Sequence, residues 1–236
     1  MDLFRGEFIE TIERTENVRS FRFITDKKID FLPGQFAQVI FDHSDLGDQQ
    51  LNKYLSFSSS PDKNYIEFTK RLSSSSFCEK LRNLKRADKV LFKAPLGKCV
   101  LKEEYKKIAF LIGGIGITPV VSILEYIADR KLDTDAVLFY SNRSESDTAF
   151  KKELDDFSYL RGNIKIFYTV TKCRPLDKNC FFGRISKELI ANKLKDIEKR
   201  MFYIFGPPKM VEAMEKVCFE LECSQGQIKT ENFIGY

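Results

Sequence analysis

The pattern of apolar residues changes once along this chain, between residues 97 and 106, and that change limits the folds open to it. Before it, short β-like runs at Arg19 to Ile24, Gln35 to Phe41, Tyr65 to Lys70 and Lys89 to Lys93 alternate with turn signals such as Pro33-Gly34 and Pro61-Asp62. Their spacing predicts an antiparallel sheet or barrel. One helix is expected in this half, from about Ser75 to Leu84, where Phe77, Leu81 and Leu84 share a face. After the change, apolar runs at Ile108 to Ile112, Ala136 to Tyr140, Ile164 to Val170 and Met201 to Phe205 alternate with helical segments. These helices are read at Thr118 to Arg130, Asp147 to Phe157, Ser186 to Lys195 and Pro208 to Glu222, with a last strand from Ile228 to Ile234. Continuous apolar strands separated by helices imply a parallel sheet covered on both faces. The reading is an N-terminal antiparallel β-barrel domain, residues 1–100, and a C-terminal α/β domain with a Rossmann-like parallel sheet, residues 101–236.

Composition removes several classes of function. With 43% hydrophobic and 31% charged residues the chain is expected to be globular. Its longest uncharged stretch, Ile108 to Leu124, contains Gly113, Gly114, Gly116 and Pro119 and is too broken for a membrane helix. No secretory signal pattern is visible at the start, so a cytoplasmic protein without membrane insertion is expected. The 6 cysteines are scattered, without a Cys-x-x-Cys pair, and read as small buried hydrophobes. His43 is the only histidine, so no metal site is expected. A net charge of +5 without long basic blocks gives no support to nucleic-acid binding.

The strongest motif is Gly113-Gly114-Ile115-Gly116-Ile117-Thr118-Pro119, placed after a predicted strand and opening a predicted helix. Glycines let a backbone approach a pyrophosphate, and a helix start offers unpaired N–H groups. Taken alone it is also compatible with a plain tight turn, since Pro119 stands where the dinucleotide fingerprint has its third glycine. A second motif, Lys53-Tyr54-Leu55-Ser56-Phe57-Ser58-Ser59-Ser60-Pro61, lies about 60 residues earlier and is followed by Phe68-Thr69-Lys70-Arg71. With these, the chain resembles the ferredoxin-NADP reductase superfamily, whose flavin domain carries Arg-x-Tyr-Ser and whose nucleotide domain carries Gly-Gly-x-Gly-x-Thr-Pro. Ala94-Pro95-Leu96-Gly97, Tyr140-Ser141-Asn142-Arg143, Phe182-Gly183-Arg184-Ile185, Phe205-Gly206-Pro207-Pro208 and the terminal Glu231-Asn232-Phe233-Ile234-Gly235-Tyr236 follow in the family's order.

The resemblance implies roles residue by residue. Lys53 stands for the arginine that binds flavin phosphate, keeping its charge without its planar fork. Leu55 stands for the aromatic that stacks on the isoalloxazine, with Tyr54 beside it. Ser56 matches the serine that hydrogen-bonds near flavin N5. Phe68, Thr69 and Lys70 are expected beside the flavin, and Ser75, Ser76, Phe77 and Cys78 match the segment whose amides hold its pyrophosphate. Ordinary helix capping is the competing reading of Ser75 and Ser76. Gly113, Gly114, Gly116, Thr118 and Pro119 are expected to hold the nicotinamide nucleotide, with Ser141 and Arg143 at its adenosine ribose. Phe205, Gly206 and Pro207 are expected beside the nicotinamide. Glu231 and Phe233 resemble the acidic residue and aromatic that face the flavin, a plain core position being the alternative for Phe233.

What the resemblance implies is a flavoprotein reductase that moves hydride from NAD(P)H to FAD and electrons to a separate acceptor such as ferredoxin or flavodoxin. Whether NADH or NADPH is preferred stays open. A rival is the NADH-dependent reductase component of a multicomponent oxygenase; a second is a non-catalytic nucleotide-binding regulatory subunit, motivated by the Lys53 and Leu55 departures. Between Lys80 and Lys98 the basic residues Lys80, Arg82, Lys85, Arg86, Lys89, Lys93 and Lys98 face one acid, Asp88. That strip reads either as a solvated face or as a dock for an acidic electron-carrier protein.

Overall fold

Alternation in the first hundred residues becomes one curled, six-stranded antiparallel sheet. In the computed structural model, which describes residues 2–233, it consists of β1 (Asp2–Thr15), β2 (Val18–Thr25), β3 (Phe36–Ile40), β4 (Asn52–Ser56), β5 (Ile66–Arg71) and β6 (Lys89–Leu96). Their spatial order is β4-β3-β6-β1-β2-β5. The short helix α1 (Ser76–Arg82) follows β5. Inside the curl, Phe8, Phe23, Phe57, Phe68 and Phe92 form a connected set with ring centroids 5.0–6.3 Å apart. Each such buried ring favours folding by roughly 2–3 kcal/mol. The edges β4 and β5 approach each other at an isolated bridge between Phe57 and Phe68, beside a Ser58 N–H to Glu67 carbonyl bond of 2.8 Å. Among the described residues no β4–β5 ladder continues past that bridge, so Lys53 to Leu55 and Lys70 border an opening in the sheet.

β1 is the strand that periodicity does not announce. Its inward positions are Phe4, Gly6 and Phe8, and the glycine supplies no apolar signal. Register shifts between Phe8 and Glu10, and between Glu13 and Thr15, then break the alternation.

The second half forms a six-stranded parallel sheet from β7 (Lys107–Gly113), β8 (Asp135–Asn142), β9 (Ile164–Val170), β10 (Cys180–Phe182), β11 (Met201–Gly206) and β12 (Ile228–Asn232). The order is β10-β9-β8-β7-β11-β12. Its helices are α2 (Ile117–Asp129), α3 (Lys151–Leu160), α4 (Lys187–Lys193) and α5 (Pro208–Glu220). One core of this sheet joins Leu111, Phe139 and Ile204 to Ile190, Val211 and Met214 of α4 and α5. The helix expected from Asp147 begins instead at Lys151, because the buried Phe150 sits at φ 62° and turns the chain first. The three-residue β10 is too short to show a period. The last strand ends at Asn232, and Ile234 to Tyr236 lie outside the described residues.

By its internal contacts the chain divides into two compact units. One holds the residues up to Leu101 with Thr118–Tyr126; the other holds Lys102–Ile117 and the residues from Ile127 on. No helix among the described residues is long and apolar enough to cross a membrane. All six cysteines are free; Cys78, Cys180, Cys218 and Cys223 are buried, Cys99 is half-buried and Cys173 is exposed.

Candidate functional site

In the first unit the motif residues converge on the opening between β4 and β5. Pairing of Ala37 with Leu55 puts Leu55 on the core face, where it belongs to the apolar cluster. Its neighbour Tyr54 points the other way, 63% exposed and edge-on to Phe36 at 5.9 Å. Thus the edge strand presents Tyr54, not Leu55, as its outward aromatic. Ser56 ends β4 and is 7% exposed.

On β5, Phe68 faces the apolar core and Thr69 is buried on the opposite face of the strand. Phe68 stacks on Phe92 with centroids 5.3 Å apart, and the Thr69 hydroxyl meets those of Ser20 (2.6 Å) and Ser58 (2.7 Å). Lys70 is the β5 residue left at the opening. Burial lowers its pKa, the nearby Cys78 thiol opposes that shift, and the like charge of Lys53 adds to it. Lys53, Lys70 and α1 are therefore brought together.

Ser75 caps α1, its hydroxyl accepting the Cys78 N–H at 3.4 Å. The helix amides next in line lack intrahelical partners, as at any helix start. Phe77 is fully buried and edge-on to Phe41 at 5.3 Å, while Ser76 is exposed. Burial pushes the Cys78 thiol up, but hydrogen bonds with Ser75 and Ser73 and the Lys70 charge outweigh it and hold the thiol below its usual range. The loop leaving Ser56 is also fixed within this unit. Ser122 donates to the Ser59 carbonyl (2.7 Å), and Glu125 accepts the Ser60 N–H (2.6 Å) and pairs with Lys63 (3.2 Å). Thr118 and Pro119 are buried at the start of α2.

In the second unit the remaining candidates lie along the carboxyl ends of adjacent parallel strands. Register places Gly113 beside Ser141, Phe205 beside Ile112, and Glu231 beside Phe205. From β7 the chain proceeds to β8 on one side while β11 lies on the other, so β7 and β11 flank the switch point where open α/β sheets bind ligands. Two glycines there have different reasons. Gly114 has φ +53° and would carry a side chain into open space, so its backbone is accessible. Gly116 is required by contact: a Cβ on it would lie 2.3 Å from the Phe205 carbonyl oxygen.

Phe205 is fully buried, and Gly206 accepts the Phe233 N–H at 2.9 Å, leaving Phe233 half-buried. Pro207 is the N-cap residue of α5, preceding Pro208 at its first position. Burial raises the Glu231 carboxyl to about 7. Exposed Arg143 gains a basic neighbour that spacing does not reveal: the Lys172 N–H binds the Arg143 carbonyl at 2.8 Å, with exposed Arg174 two residues on. Sequence reasoning also missed Met210, whose sulfur lies within 2.9 Å of a Cβ built on Gly206 and 3.3 Å of one on Gly113. Its only sequence signal is a place one turn into a helix that follows the Gly-Pro-Pro turn.

Residues 110–216 match the family described as the oxidoreductase NAD-binding domain. The fold is similar to that of solved ferredoxin-NADP reductases. A ferredoxin-NADP reductase from Neisseria gonorrhoeae, solved with bound FAD and NADP, superposes with a TM-score of 0.83 over 98% of this chain and 99% of its own, at 20% identity. By sequence the chain is similar to NADH-cytochrome b5 reductase 2 of Debaryomyces hansenii, 32% identical over 71% of this chain and 58% of that protein. It is also 28% identical to the anthranilate 1,2-dioxygenase electron transfer component of Acinetobacter baylyi, over 88% of this chain and 60% of that protein. The chain thus spans less than two thirds of either relative's length.

Proposed function

We propose that this chain is an FAD-dependent NAD(P)H oxidoreductase that delivers electrons to a separate acceptor, with flavin held by residues 1–100 and nucleotide by residues 101–236. The observation that carries the reading is the concentration of positive potential at the β4–β5 opening. Lys53 lies close enough to Lys70 to weaken its hold on its proton, and Lys70 lies near Cys78 of α1. Positive charge gathered on neighbouring lysines suits an anion such as a pyrophosphate. FAD therefore suits this opening better than FMN, which lacks the pyrophosphate.

Bound FAD would supply what no side chain here offers: acceptance of a hydride from NAD(P)H and release of its electrons to an acceptor. The protein's part is placement. Lys53 and Lys70 bind phosphate oxygens, Ser56 orients the reacting ring by a hydrogen bond, and the Gly114 backbone admits the nucleotide phosphates. Arg143, with Lys172 beside it, favours a 2′-phosphate. Glu231 holds or releases a proton at its carboxyl oxygen near neutral pH. An acidic electron carrier, ferredoxin or flavodoxin, is the acceptor that the exposed Lys80, Lys85 and Arg86 suit. The similarity to a dioxygenase electron transfer component over 88% of the chain favours a second reading, a reductase serving an oxygenase.

Cofactor released from the purified protein tests the proposal. FAD is expected by mass spectrometry, with dye reduction driven by NADH or NADPH. Protein that takes up no FAD on reconstitution would instead support the regulatory-subunit reading.

A further inference from the structure

A closed ring of buried polar groups lies beside the bridge between Phe57 and Phe68. Glu67, on β5, is 2% exposed. Its carboxylate accepts Arg14 Nη2 on both oxygens (3.1 and 3.1 Å), Arg22 Nε (2.8 Å) and the Ser58 hydroxyl (3.1 Å). Ser58 also meets Thr69 at 2.7 Å, Thr69 meets Ser20 at 2.6 Å, and Arg14 Nε donates back to Ser20 at 2.8 Å. The circuit Glu67, Ser58, Thr69, Ser20, Arg14 is closed, and it joins β1, β2, β5 and the segment after β4. Apolar residues of similar volume commonly stabilise a core as well as a buried ion cluster does. What such a cluster adds is a defined geometry, because every member must keep its partners.

The geometry it defines is at the candidate site. Besides the carboxylate bond, the Glu67 carbonyl accepts the Ser58 N–H at 2.8 Å, and the Glu67 N–H donates to the Ser59 hydroxyl at 3.0 Å. The two residues that follow Phe57 are thus tied by three bonds to one residue of the facing strand. Ser56 lies two residues before this anchor and Lys70 three residues after Glu67. We propose that Glu67 is a positioning residue, whose carboxylate holds the Ser56 segment in register with Lys70 across the opening. The proposal rests on the flavin-reductase reading above. A hydroxyl displaced by a fraction of an ångström weakens a reaction that depends on alignment without removing a binding contact.

The test uses the full chain reconstituted with FAD and reduced in stopped flow by saturating NADH or NADPH, whichever reduces wild type faster. Glu67→Gln keeps the shape and removes the charge. It is expected to hold FAD stoichiometrically, keep KM for the nucleotide within about twofold, and lower the limiting rate roughly tenfold. Ser58→Ala removes one hydroxyl from the ring and is expected to lower that rate roughly threefold; it decides the matter if Glu67→Gln does not fold. Val90→Ala, a buried β6 substitution in the same sheet and outside the ring, controls for plain destabilisation and should melt earlier while keeping the wild-type rate. Wild-type rates in the ring variants overturn the proposal, as does equal slowing in Val90→Ala. Failure of the wild type to bind or reduce FAD is seen before any variant and overturns the flavin reading and the proposal together.

Discussion

Burial shifts the chemistry of two candidate site residues away from that of free side chains, raising the Glu231 carboxyl and lowering the Lys70 ammonium. Burial alone raises Glu231 to about 7, above its unfolded value of 4.5. Its stabilising contribution is therefore full below about 4.5 and is lost as pH rises through about 7. Glu231→Gln should remove that loss, leaving the protein more stable at pH 8 by about 2 kcal/mol in denaturant titrations and flattening any pH–rate inflection near 7. A retained inflection would assign it to another group. For Lys70, replacement by Met keeps the buried stem and deletes the charge. Flavin affinity should fall about tenfold or more, since a hydrogen bond to a charged group contributes about 1.5–3 kcal/mol. Fluorescence titration of the apoprotein with FAD measures it, and thermal stability should rise slightly as the like-charge contact with Lys53 disappears. The Lys53–Ser56 motif marks the strand that borders the candidate site, yet the facing of Leu55, Phe68 and Thr69 does not follow from it. Side-chain direction depends on which strand lies opposite, and Ala37 and Phe92, the partners that draw two of these residues inward, are distant in sequence.

At the scale of elements, the glycine loop and the amino ends of the parallel strands carry opposite demands. Gly116 lies against the carbonyl at the end of β11, so Gly116→Ala forces a 2.3 Å collision with backbone that cannot rotate away. A destabilisation of roughly 2 kcal/mol is expected, with loss of nucleotide binding, whereas Gly114→Ala meets no atom and should cost only the strain of its φ of +53°, about 1 kcal/mol. Thermal melts of the two variants side by side separate contact from conformation. At the amino ends, Arg200 is bound by Asp196 (2.7 Å), Asp135 (3.0 Å) and the Ile108 carbonyl (3.2 Å), and Lys107 joins Asp196 at 2.5 Å. Burial pushes the Asp196 carboxyl up, but hydrogen bonds from Arg200 and Lys107 outweigh it and hold the group at about 2. Its contribution is present above about 3.8 and is lost as pH falls through about 2. Arg200→Met should cost about 3 kcal/mol at pH 7 and much less at pH 2, because it strands the carboxylates only where they are charged. Continuous apolar runs such as that of β7 are legible in sequence because both faces are buried. β1 is not, since its inward row includes a glycine and two bulges. The start of α3 is set by Phe150, whose left-handed backbone no local pattern of apolar residues encodes.

Across the whole molecule the net charge of +5 is unevenly spent. Within the strip from Lys80 to Lys98, Arg82 is folded back onto the Ser73 carbonyl at 2.8 Å, closing the turn before α1, and Lys89 is paired with Glu7. Those two act within the fold. Lys80, Lys85, Arg86 and Lys98 are exposed and remain for a partner, and α1 places the first of them on the helix whose start borders the candidate flavin opening. Exposed charges of this kind raise encounter rates more than affinity, and salt suppresses them as the Debye length shrinks from about 10 Å at 0.1 M to about 3 Å at 1 M. Reduction of ferredoxin or flavodoxin should therefore fall steeply with salt, while reduction of a small neutral quinone changes little. Lys85→Glu with Arg86→Glu should depress the protein-acceptor rate alone, by roughly tenfold at low salt and far less at high salt. Arg82→Glu is expected to behave differently, lowering stability as well, since it removes the bond that closes the turn. Were both acceptors to respond alike to salt and to the double change, the strip would be a solvated face, and docking would have to be sought on a surface with little charge.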